Sequence, residues 1–134
     1  MAREEAIGKA VLDAAIRVHS ELGPGLLEST YEICLASELA SRGLELERQV
    51  ELPVCYRGRR ISAGYRLDML IERLVVVELK VVDDLNKVHL AQVLSYLKLG
   101  SFTLGYLLNF NVAHMRDGIR RVVHAHKHNI PSRP

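Results

Sequence analysis

Along the first third of the chain, apolar residues recur at helical spacing. Ile7, Ala10, Val11, Ala14, Ala15 and Val18 fall on one side of a 3.6-residue repeat, which predicts a helix over about residues 3–20. Gly23-Pro24-Gly25 interrupts the repeat, because proline cannot continue the ladder and glycine relaxes the backbone. A second helix is predicted over about 26–41, with Gly43 placed to end it. The period then changes to two. Leu44, Leu46, Val50, Leu52, Val54 and Tyr56 share one parity, and Glu45, Glu47, Gln49 and Glu51 the other, so 44–56 reads as a strand with one wet face. Pro53 confines it to an edge or a bulge. A turn at Arg57-Gly58-Arg59 leads to strands over about 61–71 and 74–82. Asp83 and Asp84 are suited to cap a third helix over about 85–99, ended by Gly100. A buried strand over 103–110 follows, then a fifth over 119–124 and a frayed tail from about 125. The order α-α-β-β-β-α-β-β contains a βαβ crossover and hence a parallel pair, so the predicted fold class is α/β with a mixed sheet. At 134 residues, 1–134 suits one domain.

The middle strands carry the chemistry. In the two strand segments 66–71 and 75–81 the odd positions are Leu67, Met69, Ile71, Val75, Val77, Leu79 and Val81, all apolar, while Arg66, Asp68, Glu78 and Lys80 are all even. An odd-length connection such as Glu72-Arg73-Leu74 keeps both odd sets on one face and puts Asp68 across from Glu78. A two-residue turn would set Asp68 among apolar side chains, at a cost. Two facing carboxylates repel, and a divalent cation resolves the repulsion because hard cations prefer carboxylate oxygens. Lys80 shares that face and can orient or deprotonate a water, or stabilise charge on a phosphate. A structural Glu78–Lys80 or Asp68–Lys80 ion pair on a solvated face accounts for the same spacing.

Net charge is only +2, but Arg57, Arg59, Arg60 and Arg66 cluster in mid-chain, and Arg116, Arg120, Arg121, Lys127 and Arg133 cluster towards the end. Such clusters either meet phosphates or are solvated surface. Cys34 and Cys55 make neither a disulfide framework nor a zinc site, and both read as small buried or half-buried residues. His114, His124, His126 and His128 lack metal-site spacing with acidic partners and read as surface. The amphipathic N-terminus lacks a signal-peptide core and no apolar run approaches the length of a membrane span, so a cytoplasmic protein with no membrane partner is expected.

Asp68 followed ten residues on by Glu78-Leu79-Lys80 resembles the D…E-x-K core of the PD-(D/E)XK nuclease superfamily. Gly25-Leu26-Leu27-Glu28-Ser29-Thr30-Tyr31 resembles the G-x-x-E-x-x-Y signature of its GxxExxY branch. The segments 18–25, Glu47-Arg48-Gln49-Val50, Tyr56-Arg57-Gly58, 91–97, Leu108-Asn109-Phe110 and Gly118-Ile119-Arg120-Arg121 are similar to that family in the same order, so the resemblance runs from about Ile7 to Val123. It departs from the superfamily's name at Leu67, which stands where the name has proline. The resemblance implies a restriction-endonuclease-like mixed sheet flanked by helices. It implies phosphodiester hydrolysis with Mg²⁺ or Mn²⁺, leaving a 5′-phosphate. Asp68, Glu78 and the Leu79 carbonyl would ligate metal, with Glu28 completing the acidic site. Lys80 would position the attacking water, and Gln92 and Tyr96 match the Q-x-x-x-Y pair on the third helix.

Glu28 sits near a helix start, where a negative charge is favoured in any case. Tyr31 lies one turn on and is expected to pack against the site. Gln92 and Tyr96 share a helix face with His89. His19, just before the Gly-Pro-Gly break, either touches substrate or satisfies loop carbonyls. The expected partner is nucleic acid, DNA before RNA, and the expected activity that of a metal-dependent nuclease. A homodimer or an accessory partner is compatible with so small a domain. The alternative is a non-catalytic nucleic-acid-binding or scaffolding domain that keeps the fold.

Overall fold

A computed structural model describes residues 1–125. Two helices come first, α1 (Ala2–Leu22) and α2 (Glu28–Ser41), followed by β1 (Leu46–Glu51), β2 (Val54–Tyr56), β3 (Arg59–Ile61), β4 (Arg66–Ile71) and β5 (Val75–Lys80). Then come α3 (Lys87–Gly100), β6 (Leu104–Asn109), a 3₁₀ turn at Met115–Gly118 and β7 (Ile119–Val123). Five strands form one sheet in the order β1-β4-β5-β6-β7, and β2-β3 form a separate two-stranded hairpin. β5 and β6 are parallel, as the βαβ pattern requires, and the other neighbours are antiparallel. This is the predicted α/β class, with helices on both faces of a mixed sheet. No helix among the described residues is long and apolar enough to cross a membrane.

The sheet is buried on both faces at its centre, which is why β5 and β6 read as nearly continuous apolar runs. On one face Met69, Ile71, Val75, Val77, Leu79, Leu104, Tyr106 and Leu108 pack against the apolar stripes of α1 and α2. On the other, Leu70 and Val76 pack with Tyr96 and Leu97 of α3. Each fully buried aliphatic side chain there contributes about 1.5–3 kcal/mol. Leu67 departs from its parity and joins the α3 cluster. The residue opposite it across β1, Val50, follows Gln49, whose φ of 53° kinks the edge strand beside Asp68.

Six local expectations change. The strand predicted over 44–56 is broken into β1 and β2 at Pro53, whose missing N–H ends the ladder, while Gln49 bends β1 from within. The strand predicted over 61–71 likewise divides into β3 and β4, so a hairpin arm stands out from the main sheet. Its turn is Arg57-Gly58 alone, both at positive φ (52° and 77°), and Arg59 already pairs with Tyr56. Asp83 and Asp84 do not cap α3. Asn86 does, its Oδ1 accepting from the N–H groups of Val88 (2.9 Å) and His89 (3.1 Å) while His89 Nδ1 accepts from the Asn86 N–H. Ser101, left-handed at φ 60°, ends that helix one residue beyond the expected Gly100. Cys34 is half-buried as expected, but Cys55 is exposed, because no layer covers the hairpin. The tail expectation, with His126, Lys127, His128 and Arg133, lies outside the described residues.

One glycine is fixed by close approach. A Cβ on Gly118 would stand 2.0 Å from the Asn109 carbonyl oxygen, a backbone atom that cannot step aside. Gly118→Ala is therefore expected to destabilise the fold by on the order of 2 kcal/mol, lowering the thermal midpoint by roughly 5–10 °C. An unchanged melting curve would show that the 3₁₀ turn yields freely.

Candidate active site

The β4–β5 hairpin turns through Glu72-Arg73-Leu74, with Ile71 paired to Val75, Leu70 to Val76 and Met69 to Val77. That is the odd-length connection polarity selects, and one step further Asp68 meets Glu78. There the backbone ladder stops and the side chains take over. Glu78 Oε2 accepts the Asp68 N–H at 2.7 Å, and Asp68 Oδ2 accepts the Leu79 N–H at 2.9 Å. The two carboxylates stand where strand carbonyls would otherwise satisfy those amides. Such charge-assisted bonds are worth about 1.5–3 kcal/mol each, which offsets part of the cost of enclosing the acids.

Burial remains expensive for them. Glu78 is only 4% exposed. Enclosure, then the neighbouring charge of Asp68, pushes its pKa up to about 8, against the opposing pull of the Asp68 N–H and of Lys80. Asp68 is raised as well, chiefly by burial and also by Glu32, against the Leu79 N–H bond, Lys80 and a hydrogen bond from Gln49. Glu28, in the first turn of α2, is raised by desolvation and by Asp68, and is held down by Lys80. Asp68, Glu78, Glu28 and Lys80 thus lie within one another's electrostatic reach.

Around them stand groups the sequence pattern did not single out. Glu32, one helical turn beyond Glu28, is 5% exposed and takes Arg48 Nε at 2.9 Å and Gln49 Nε2 at 3.2 Å on each carboxylate oxygen. Gln49 thereby links Glu32 to Asp68. The i,i+4 spacing of Glu28 and Glu32 was the available signal. Gln49 carried none, since its parity alone reads as wet face. Asn109 is buried at the exit of β5, paired in register with Lys80, and closes a two-way bond with Val82 (3.1 and 2.9 Å). It fixes the backbone from which Lys80 projects.

The remaining predicted residues divide. On α3, Tyr96 is buried and its phenol is raised by desolvation and then by the charge of Glu78, with Tyr65 and Asp68 adding to this; Gln92 hydrogen-bonds to it. Both therefore border the acidic pair from the opposite layer. Tyr31 is turned elsewhere. Its hydroxyl donates to the Gly23 carbonyl (2.5 Å) and accepts from the Leu26 N–H (3.2 Å), and its ring stacks on Phe110 at 4.6 Å. His19 is buried with Nε2 2.8 Å from the Val112 carbonyl oxygen, so it satisfies a loop. The signature residues act as a unit: Gly25 holds a left-handed φ of 102°, Tyr31 pins the loop, and α2 then begins at Glu28.

As a donor set, Asp68 and Glu78 suit a hard divalent cation. Glu78 is a carboxylate driven towards protonation by its burial and then by the adjacent Asp68, and its Oε2 alone is engaged by the Asp68 amide. Among the described residues, no three His, Cys, Asp or Glu side chains gather into a protein-only cage. Mg²⁺ commonly needs only one or two carboxylates, with water and phosphate completing its shell. Glu28 stands near this pair without closing on it.

A family model described as the PD-(D/E)XK nuclease superfamily matches residues 5–122. The chain belongs to that superfamily. Its members generally use divalent metal ions, and nucleic acid is the substrate class that membership implies. No curated protein and no solved structure matches the chain.

The raised acids fix a pH dependence. A carboxyl group whose folded pKa exceeds its unfolded value binds its proton more tightly when folded, so stability falls as pH rises from the unfolded value to the folded one. For Glu78 that window runs from 4.5 to about 8. Without metal, the thermal midpoint is expected to drop between pH 5 and 8, and Glu78→Gln is expected to flatten the slope. A metal-free protein equally stable at both ends would contradict the enclosed, mutually repelling pair.

Proposed function

We propose that this chain is a nuclease that hydrolyses phosphodiester bonds of nucleic acid, DNA before RNA, with Mg²⁺ or Mn²⁺ held by Asp68, Glu78 and the Leu79 carbonyl. The observation that carries the reading is the pair of buried Glu78 and half-buried Asp68, bonded to each other's strand backbone, with Lys80 as the adjacent cation. The bound cation would supply Lewis acidity to a phosphoryl oxygen and make a nearby water more acidic. Lys80 orients that water and meets charge developing on the phosphate. The water oxygen bonds to phosphorus as the P–O3′ bond breaks, the departing oxygen takes a proton, and the products are a 3′-hydroxyl and a 5′-phosphate. Glu28 reaches the same region from α2, and Gln92 hydrogen-bonds a phosphate oxygen or carboxylate from α3, positioned by Tyr96. Tyr31 and His19 act at a distance, by holding the loops that place α2.

Within the superfamily we assign the chain to the GxxExxY branch. The mechanical roles of Gly25 and Tyr31 support that assignment, because a left-handed glycine and a loop-pinning tyrosine are needed at those two positions.

When labelled single- and double-stranded DNA and RNA are incubated with Mg²⁺ or Mn²⁺, the wild-type chain is expected to cut at least one of them. Lys80→Ala and Glu78→Ala are expected to lower the rate by roughly 10²-fold or more. Mn²⁺ at about a hundred times its Kd is expected to stabilise the wild type by about 2.7 kcal/mol, and Glu78→Ala to lose that gain. Wild type and Lys80→Ala equally inert on every substrate, with Mn²⁺ stabilisation intact, would leave a metal-binding scaffold in place of an enzyme.

A further inference from the structure

Beside the acidic pair a cleft of about 510 Å³ opens between the hairpin arm and α3, lined by Val54, Tyr65, Gln92, Ser95, Tyr96, Lys98 and Leu99. Its floor is aromatic. The rings of Tyr65 and Tyr96 stand 6.0 Å apart at 56°, with Tyr96 buried and Tyr65 45% exposed. Gln92 and Ser95 give it a polar edge and Lys98 a cation. Leu52, just after β1, donates its N–H to the Tyr65 carbonyl at 2.9 Å, which fixes the root of the arm. Tyr65 is three residues from Asp68 along the chain, so cleft and acids adjoin.

The arm itself is unbalanced in charge. From Val54 to Arg66 it holds four arginines and no acid. Among the described residues, Arg57, Arg59 and Arg60 make no ion pair, and all three are exposed. The second basic cluster differs. Arg121 pairs with Glu5, and Arg120 bonds the carbonyls of Asp117 and Ile119. Free guanidinium groups beside an aromatic cleft are complementary to a flexible polyanion that carries flat apolar faces.

We propose that this cleft takes an unpaired nucleobase adjoining the phosphate that is cut, stacked on the exposed ring of Tyr65, which Tyr96 backs, while Arg57, Arg59 and Arg60 hold neighbouring phosphates. The substrate is then single-stranded DNA, or a single-stranded stretch next to a duplex, since paired bases have no free face to offer. The inference rests on the nuclease reading for its scissile phosphate, but not for its binding.

The test measures binding by fluorescence anisotropy in EDTA, so that no cleavage intervenes, with a labelled oligodeoxythymidylate, a duplex of equal length and an abasic strand of equal length. The thymidylate is expected to bind about tenfold more tightly than the abasic strand, and more tightly than the duplex. Tyr65→Ala is expected to lose about the same factor on thymidylate alone, and Tyr65→Phe to keep it. Arg59→Gln with Arg60→Gln is expected to weaken binding to all three and to reduce the salt slope by about one for each phosphate left without its guanidinium. Abasic and thymidylate strands bound equally by the wild type would overturn the proposal without any variant having to fold. The catalytic reading fails separately: stacking-dependent binding with no cleavage in Mg²⁺ or Mn²⁺ would keep the cleft and remove the nuclease.

Discussion

Where β4 and β5 part, two amides need acceptors and two carboxylates need donors, and each strand supplies what the other lacks. A buried amide left unpaired costs about 1–3 kcal/mol, and an enclosed carboxylate costs several more. The reciprocal bonds between Asp68 and the Glu78–Leu79 segment answer both needs. They also set the limits of the arrangement. Each acid uses one oxygen on the backbone, so neither can swing away, and the charges cannot separate. Burial, joined at Glu78 and Glu28 by the charge of Asp68 and at Asp68 by that of Glu32, pushes Glu78 up to about 8 and raises Asp68 and Glu28 in the same direction. Carboxylates held this firmly would be preorganised for a cation, at the cost of stability as pH rises from about 5 to 8.

The first two helices serve that constraint from the other layer. α1 and α2 cover the Met69–Leu79 face, and the break between them is tied by Tyr31 to Gly23 and Leu26 and by His19 to Val112. Tyr31 also stacks on Phe110, at the end of β6 beside the Asn109 lock on Val82. The loop before Glu28 and the strand end beyond Lys80 are therefore parts of one packed unit. Removing a ring from that stack would shift two approaches to the site together, although neither ring faces it.

How far this was readable from sequence depends on where polarity constrains the chain. Along β4 and β5 it does so strongly: a one-residue slip would bury Asp68 among aliphatic side chains, so parity alone selects the register that brings Asp68 to Glu78. The crossover through α3 and the paired helices follow from period and punctuation in the same way. The hairpin arm was hidden because alternation continues through Leu52 and Val54. Only Pro53 separates β1 from β2, and the bend at Gln49 within β1 comes from an αL glutamine that has no signature in sequence. The α3 cap was missed because Asp83, Asp84 and Asn86 are all good cap residues. His89, placed to complete a capping box, decides among them only once its side chain is seen to turn back. Gln49 was invisible as a site residue because its role arises from contacts across α2, β1 and β4 that no local pattern encodes, and Glu32 showed only through its helical spacing from Glu28.

The electrostatic balance of the finished site bears on how a polyanion would approach it. Glu28, Glu32, Asp68 and Glu78 face Lys80 and Arg48, so even with protons retained the pocket is no attractor for phosphate. Fields between exposed charges fade over about 10 Å at 0.1 M salt, which means distant basic patches cannot compensate. The compensation has to be local. The hairpin arm leaves the sheet at the end of β4 where Asp68 lies and carries its arginines free of acidic partners. A guanidinium packed directly against Asp68 or Glu78 would lower their pKa but would occupy the place of a cation. Held on an arm, the same charge can act on the strand and leave the carboxylates available.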